Sequence, residues 1–231
     1  MFSIKGLLKA FESIASTLAE NGWFISEPQS PRWWGGLESP DEVFISAMLV
    51  QQTRWDNVTR VMAKLRSLGL SGLEQVSRLS YGELANMLTG INFRFTKARR
   101  VINAARRVVS IGGLEALGGM GDDDVRQFLL SIEGIGYETA DSIMLFALNR
   151  LTIPVSAYTV RVLGRVDKAF NGGYEELRGR LMGALPRGLY EYKLFHAGIV
   201  TVGKVWCLKG KPRCSHCPLR EYCTYAKTWL T

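Results

Sequence analysis

The sequence is poor in cysteine and histidine. Its 231 residues include only four cysteines and two histidines, and no cysteine precedes Cys207. A framework of disulfides spread through the chain, as in small secreted domains, is therefore excluded. Any metal site built on cysteine must lie in the C-terminal segment.

Long apolar runs and a targeting segment are also lacking. No stretch approaches the roughly 20 apolar residues that a membrane-spanning helix needs. The N-terminal segment contains charged side chains and has no signal-peptide core, namely Lys5, Lys9, Glu12 and Glu20. Its apolar residues recur at helical spacing, which predicts an amphipathic helix. We expect an intracellular protein, cytoplasmic or nucleoid-associated, that does not bind a membrane.

The sequence shows no β-type alternation and no low-complexity segment, whereas helical periodicity covers most of the chain. Helices are predicted where apolar residues recur every three to four positions: 41–68, read as one continuous pattern, and the segments YGELANMLTG, TKARRVINAARRVVSI, GLEALGGM, DDDVRQFLLSI and YETADSIMLFALN. Residues 22–40 are rich in Pro, Gly and Ser and predict a linker or binding loop. The predicted fold class is all-α.

Acidic residues are fewer than basic residues. Lys and Arg number 29 against 21 Asp and Glu, which gives a formal net charge of +8. A basic balance favours a polyanionic partner, nucleic acid first, although a solvated surface of Lys and Arg gives the same count.

The four cysteines follow the pattern C-x6-C-x2-C-x5-C, at Cys207, Cys214, Cys217 and Cys223. Four thiolates on one short segment are typical of an iron–sulfur cluster. Zinc and two disulfides stay open at this point, although zinc sites more often have two widely separated Cys-x2-Cys pairs. We interpret His216, between two of the cysteines, as a solvated loop residue rather than a ligand.

A glycine turn stands between two apolar-faced helices in LLSIEGIGYETADSIMLFAL. Gly134 and Gly136 permit a tight turn after which the second helix begins at once. Such a turn can point free N–H groups at a phosphate. An ordinary αα-hairpin with a glycine turn accounts for the pattern equally well.

In this order, the glycine hairpin and the cysteine pattern resemble the helix-hairpin-helix DNA glycosylases of the endonuclease III superfamily. The resemblance covers about residues 33–223. It includes the Gln helix Leu49-Val50-Gln51-Gln52-Thr53 and the segment Gly90-Ile91-Asn92-Phe93-Arg94-Phe95-Thr96-Lys97-Ala98. Trp33-Trp34 and Glu138 are most similar to the endonuclease III-related, or 3-methyladenine DNA glycosylase, branch.

The resemblance implies two helical domains flanking a DNA-binding cleft. Residues 1–39 with 151–231 would form a cluster-containing domain, and 40–150 a six-helix domain ending in the helix-hairpin-helix at 126–148. A [4Fe–4S] cluster on the four cysteines is implied, and zinc and disulfides become less favoured. The implied partner is double-stranded DNA with a damaged or mismatched base, bound by a monomer.

The resemblance also implies DNA contacts by residues of three segments. These are Gln51 and Gln52 in the Gln helix, Gly134, Gly136 and Thr139 in the hairpin, and Lys209, Lys211 and Arg213 in the cysteine loop. Gln51 matches a side chain that fills the gap left by a flipped base, and a polar helix cap is its alternative role. The alternative for the loop cations is that they are solvated surface charges that do not contact DNA.

Two positions decide the implied chemistry. Lyase members carry a Lys directly before the hairpin Thr, and this chain has Glu138, so a Schiff base with the sugar is not expected. Ser156 stands where the family has its catalytic Asp, in Val155-Ser156-Ala157-Tyr158-Thr159-Val160-Arg161. Three interpretations stay open: an engineered replacement, a natural residue in an enzyme whose substrates need less help, and a protein that has lost catalysis.

The base pocket is the least constrained part of the resemblance. Trp33 and Trp34 could hold a cationic base by cation–π attraction or simply pack under a loop. Lys204 could line the pocket, contact a phosphate or lie on the surface. The sequence thus predicts a monofunctional DNA glycosylase of base excision repair, with an alkylated purine as first substrate. The alternative is a non-catalytic lesion-binding protein on the same scaffold.

Overall fold

The structure, a computed structural model, describes residues 3–229 and contains no β-strand in that range. The prediction of an all-α fold is confirmed. The helices are α1 Ile4–Glu12, α2 Ala15–Glu20, α3 Pro40–Leu49, α4 Trp55–Ser67, α5 Leu73–Arg78, α6 Tyr81–Met87, α7 Arg94–Val109, α8 Gly113–Gly118, α9 Asp122–Leu130, α10 Tyr137–Phe146, α11 Ala157–Val166, α12 Tyr174–Ala184, α13 Leu189–Val205 and α14 Thr224–Trp229. Short 3-10 turns cover Pro31–Trp33, Cys214–His216 and Arg220–Tyr222.

The chain divides into two compact units. The terminal unit consists of the described residues up to Gln29 and those from Leu151 onward, and contains α1, α2 and α11–α14. The central unit is Ser30–Arg150 and contains α3–α10. None of the helices in the described part of the chain is both long and apolar enough to cross a membrane.

In the terminal unit, α13 packs against both α1 and α11. Phe11 of α1 meets Phe195 of α13 edge to face, with ring centroids 6.0 Å apart, and both rings are buried. The N-terminal segment, predicted as one helix, is two helices. The Ser13 hydroxyl donates to the carbonyl of Ala10, and this local bond competes with continuation of the helix.

In the central unit, α7 packs against α5 and α6, and α3 packs against α10. The prediction of uninterrupted helical periodicity over 41–68 is wrong, because α3 ends at Leu49 and α4 begins at Trp55. Gln52 lies in the left-handed region at φ +52°, which stops a helix. The Pro40 that opens α3 suits a first helical position, and the Ser39 hydroxyl accepts from the Glu42 N–H.

A substitution at Gly198 tests the packing of α1 on α13. A Cβ there would lie 2.1 Å from Cγ of the Phe11 ring. We expect Gly198→Ala to lower the free energy of unfolding by about 1–3 kcal/mol through overpacking. Gly179→Ala on α12 is the control, because nothing lies within 4 Å of its Cβ position. It should raise stability by about 0.5–1 kcal/mol. Urea unfolding measures both, and equal effects would contradict this packing.

Candidate functional site

The glycine hairpin joins α9 to α10 in the central unit. Gly134 has φ +90°, and a Cβ on it would lie 2.7 Å from Cδ of Arg100, so both its backbone and its surroundings favour glycine. Gly136 is the N-cap of α10, and nothing lies within 4 Å of its Cβ position. The first N–H groups of α10 have no intrahelical acceptor. They are therefore available to an anion.

The Gln51 side chain contacts this hairpin directly. Its Nε2 donates to the carbonyl of Gly134 at 2.9 Å and to the Thr139 hydroxyl at 3.0 Å. The structure thus brings together three of the predicted DNA-contacting residues. Insertion of Gln51 into a duplex would exchange both bonds for bonds to a base, and this role stays a prediction. Gln52, its neighbour, is exposed.

Lys97 lies beneath the turn between α3 and α4. Its Nζ donates to the carbonyls of Leu49, at 2.7 Å, and Gln51, and to the Thr53 hydroxyl at 2.8 Å. Desolvation lowers the pKa of Lys97 to about 8. Sequence reasoning gave this lysine no role. The available signal was its place on the same helical face as Val101 and Val108.

The start of α7 carries two exposed aromatic rings, one on its N-cap residue and one in its first turn. The side chains of Phe93 and Phe95 are 69% and 62% exposed, more than any other large hydrophobic residue described. The Arg94 guanidinium lies 4.9 Å from the centre of the Phe95 ring. Asn92 donates from its backbone to the Thr53 hydroxyl and from its amide to the Gln52 carbonyl. Exposed aromatic and arginine side chains suit stacking on nucleobases.

Two carboxylates flank the glycine turn. Hydrogen bonds from Arg99, and then from Arg100, hold the pKa of Glu133 below its usual value. Glu138 lies in the first turn of α10, where desolvation raises the pKa of its carboxyl. Its side chain nevertheless has substantial exposed area. Its position at a helix N-terminus acts in the opposite direction on the pKa, because that end of a helix favours an anion.

Trp33 and Trp34 are both buried. The Trp34 Nε1 donates to the Ser46 hydroxyl at 3.0 Å. Its ring meets Trp55 edge to face at 5.9 Å and Phe146 at 5.0 Å between centroids. These contacts describe packing within the central unit. The proposed pocket role of the two rings stays a prediction.

Ser156 is the N-cap of α11 in the terminal unit and is buried. Its hydroxyl accepts from the Thr159 N–H at 3.1 Å, and the Thr159 hydroxyl accepts from the Ser156 N–H at 3.1 Å. This reciprocal pair is a capping box. The position therefore favours Ser or Asp for a purely structural reason, because both are good N-caps.

Two arginines further along α11 hold the cysteine segment. Arg161 donates to the carbonyls of Cys207, at 2.8 Å, and Gly203, at 2.9 Å. Arg165 donates to Sγ of Cys207 at 3.3 Å and to the carbonyl of Leu208 at 2.7 Å. One helix therefore connects the family's catalytic position to the cysteine segment. Sequence reasoning used Arg161 only as part of a motif and missed Arg165.

The four cysteines are free thiols. Burial above all, together with the charges of the other three cysteines, raises the pKa of Cys217 to about 12. Within residues 3–229, no three His, Cys, Asp or Glu side chains are arranged to hold one metal ion. The four thiols interact electrostatically with one another, so they lie near each other in the fold. As a donor set they fit an iron–sulfur cluster, which requires their deprotonation.

The predicted loop cations Lys209, Lys211 and Arg213 are exposed, as is Lys204 in the last turn of α13. His216 is exposed too, and its Nδ1 lies 2.9 Å from the Ser215 hydroxyl. Lys204 also contributes, after burial, to a low pKa at His196.

The low pKa of His196 leads us to expect a loss of folding stability in acid. It is buried, its Nδ1 lies 3.3 Å from the Pro154 carbonyl, and desolvation lowers its pKa to about 4. The unfolded chain, with the ordinary value near 6.5, binds more protons between these pH values. Stability is thus complete above about pH 6.5 and falls by roughly 2 kcal/mol between pH 7 and pH 5.

Urea unfolding at both pH values measures this effect. His196→Gln should show a shallower loss between pH 7 and pH 5, whatever its stability at pH 7. The exposed His216→Gln is the control and should keep the full loss. An identical pH dependence in all three proteins would exclude His196 as the source.

The sequence matches known proteins over most of its length. Residues 45–187 match the HhH-GPD superfamily base excision DNA repair protein family. The protein MJ1434 of Methanocaldococcus jannaschii, assigned to the DNA repair glycosylases, is 38% identical over 200 residues, which are 83% of this chain and 88% of the relative. Endonuclease III of Escherichia coli K12 is 26% identical over 190 residues, 82% of this chain and 85% of the relative.

A solved structure shares the fold. The 3-methyladenine DNA glycosylase MagIII of H. pylori, solved with 1,N6-ethenoadenine bound, aligns with a TM-score of 0.69 at 22% identity, over 88% of this chain and 98% of MagIII. The predicted resemblance to the endonuclease III superfamily is confirmed. On the family match and the 38% identity, the chain belongs to the HhH-GPD superfamily of base excision DNA repair proteins.

Proposed function

We propose that this protein is a monofunctional DNA glycosylase that flips a damaged base from a duplex and hydrolyses its N-glycosidic bond, with an alkylated purine as substrate. The observation that carries the proposal is the hairpin itself. Its glycine turn and the start of α10 present backbone N–H groups, with the Gln51 amide bonded to the same turn. Family membership supports the general class of activity.

Backbone contacts would anchor the DNA without reading its sequence. N–H groups of the hairpin, at Gly136 and after it, can bind a phosphate and carry no information about bases. Lys209, Lys211 and Arg213, all exposed, would add attraction to the backbone. Gln51, Gln52 and Thr139 would act at the duplex itself. Extrusion of a base costs a few kcal/mol, which these contacts would offset.

Glu138 supports hydrolysis without strand cleavage. A carboxylate cannot form a Schiff base with the sugar, so the position used by lyases has no amine nucleophile. A negative Glu138 would instead attract a purine made cationic by alkylation. Such a base is already a good leaving group and needs less help from the protein. The MagIII structure with bound ethenoadenine supports an alkylated purine as the class of substrate.

Ser156 favours a second candidate function, a non-catalytic lesion-binding protein. Base loss passes through a positively charged sugar, and removing a preorganised carboxylate can cost about 3–4 kcal/mol. The Ser156 hydroxyl carries no charge and already lies 3.1 Å from both polar atoms of Thr159. A glycosylase with this residue must depend on its leaving group; a binding protein has no need of the carboxylate.

A panel of duplexes with alkylated, oxidised, deaminated or mismatched bases tests the function. We expect the chain to release an alkylated purine slowly, leaving abasic sites that break only with alkali. Ser156→Asp keeps a favoured N-cap and adds the carboxylate, so its rate should rise by up to several hundredfold, which about 3–4 kcal/mol corresponds to. Ser67→Asp adds the same charge at an exposed position and should change little.

Two other outcomes are informative. Duplex binding by both the chain and its Ser156→Asp variant, without base release from any panel member, would establish the lesion-binding alternative. Strand cleavage without alkali would show a lyase and contradict the proposed role of Glu138.

We also propose that Cys207, Cys214, Cys217 and Cys223 hold a [4Fe–4S] cluster. Such a cluster would have a structural role, because it would hold the exposed loop cations in position to contact DNA. Arg161 and Arg165 bond the backbone around Cys207, and the Cys223 thiol donates to the Arg165 carbonyl, so α11 positions two of the four cysteines. Because burial favours the protonated thiols, assembly should release protons.

Anaerobic purification tests the cluster. We expect a brown protein with about four iron atoms per chain. Cys217→Ala should lose the colour and have a lower midpoint of thermal unfolding. Ser215→Ala, between Cys214 and Cys217, should keep the colour and the original midpoint. A colourless protein containing zinc would overturn the proposal, as would iron that Cys217→Ala retains.

A further inference from the structure

Lys97 is an unusual residue for the interior of the central unit. Its side chain is 7% exposed, and no carboxylate is among its hydrogen-bond partners. All three protons of an ammonium are accounted for by two carbonyls and one hydroxyl. Burying a charge is costly, so a residue needed only for packing at this position would be apolar.

The acceptors of Lys97 explain why a cation is present. The Leu49 carbonyl belongs to the last turn of α3, where helix carbonyls lack intrahelical partners and the helix dipole is negative. The Gln51 carbonyl and the Thr53 hydroxyl lie in the turn that follows. One ammonium therefore holds the end of a helix and the four residues after it.

This turn is also bonded to the hairpin. The carbonyl of Gln51 accepts from Lys97, while its side-chain Nε2 donates to Gly134 and Thr139. A path of hydrogen bonds therefore runs from Lys97, through one residue, to the turn that would bind phosphate. The Thr53 hydroxyl adds a second branch, because it also accepts from the Asn92 N–H.

We propose that Lys97 is a positioning residue for DNA recognition, a role that rests on the proposed function and extends it. Lys97 does not contact DNA. It fixes the backbone of Gln51 in the turn after α3, beside the hairpin, so that the Gln51 amide and the phosphate-binding N–H groups engage one duplex together. Gln51 is the residue through which Lys97 acts.

A double-mutant cycle on DNA binding tests this role. The probe is a duplex containing a tetrahydrofuran abasic-site analogue, and the comparison is the same strand alone. Lys97→Met and Gln51→Ala should each weaken duplex binding by about tenfold, and the double variant should be no weaker than the worse single variant. Single-strand binding should change less than about twofold. Additive losses, or equal losses on both probes, would overturn the proposal.

Salt dependence separates positioning from contact. A lysine that neutralises a phosphate lowers the slope of log affinity against log salt by about one when it is removed. Lys97→Met should leave this slope unchanged, and a reduced slope would show direct contact instead. Lys64→Met removes the same charge from an exposed site on α4 and is the matched control. The effect of Lys64→Met on duplex binding should be the same with and without Gln51→Ala.

Thr53→Val keeps the test valid should Lys97→Met fail to fold. It removes one acceptor of Lys97 with little change of shape, and we expect about a threefold loss on the duplex that disappears in the Gln51→Ala background. A loss that persists there would contradict the path through Gln51. Binding to the abasic analogue requires no base release, so a chain that excises no base can still show the coupling between Lys97 and Gln51. Failure of the proposed glycosylase activity is therefore distinguishable from failure of the proposed role of Lys97.

Discussion

The central unit depends on how one helix ends. The carbonyls at the end of α3 need donors, and the chain directly after them cannot continue as a helix because Gln52 adopts a left-handed conformation. A lysine from α7 supplies those donors from a position 48 residues further along the sequence. That contact and the left-handed Gln52 together mark where the helix stops, and the bonds from the Gln51 amide to the hairpin set where Gln51 points. The hairpin and the exposed aromatic segment are both bonded to the same turn.

The terminal unit is organised along α11. Its first residue is preceded by a capping box, and its second half holds the cysteine segment through Arg161 and Arg165. These arginines donate mainly to backbone carbonyls, so they shape the chain around Cys207 without depending on the neighbouring side chains. The local structure at the family's catalytic position and that at the cysteine segment are therefore consequences of one helix.

Local features of the fold were predictable from the sequence, and contacts between distant residues were not. Periodicity and glycine spacing predicted the all-α fold, and the spacing of Gly134 and Gly136 matched a turn between two helices. The break after Leu49 was missed because the left-handed Gln52 and the bond from Lys97, 48 residues further along, leave no trace in the local periodicity. The break at Ser13 was missed because the helical spacing of apolar residues continues across it.

The same distinction applies to the candidate site. The sequence named Gln51, Gly134 and Thr139 separately through a resemblance, and their mutual hydrogen bonds required coordinates. The sequence named Trp33 and Trp34 together, whereas the contacts of Trp34 with Ser46, Trp55 and Phe146 required coordinates. A pattern of residue types cannot show which face of a ring is covered.

The capping box at Ser156 has a consequence for how such a protein can diverge. Serine and aspartate both satisfy the N–H groups at the start of a helix, but this position is buried, so an uncompensated carboxylate there costs folding free energy that a serine hydroxyl does not. Only aspartate brings a negative charge. Under the proposed function, a change from Ser to Asp at this position would therefore gain charge for chemistry and lose folding stability, and the reverse change would do the opposite.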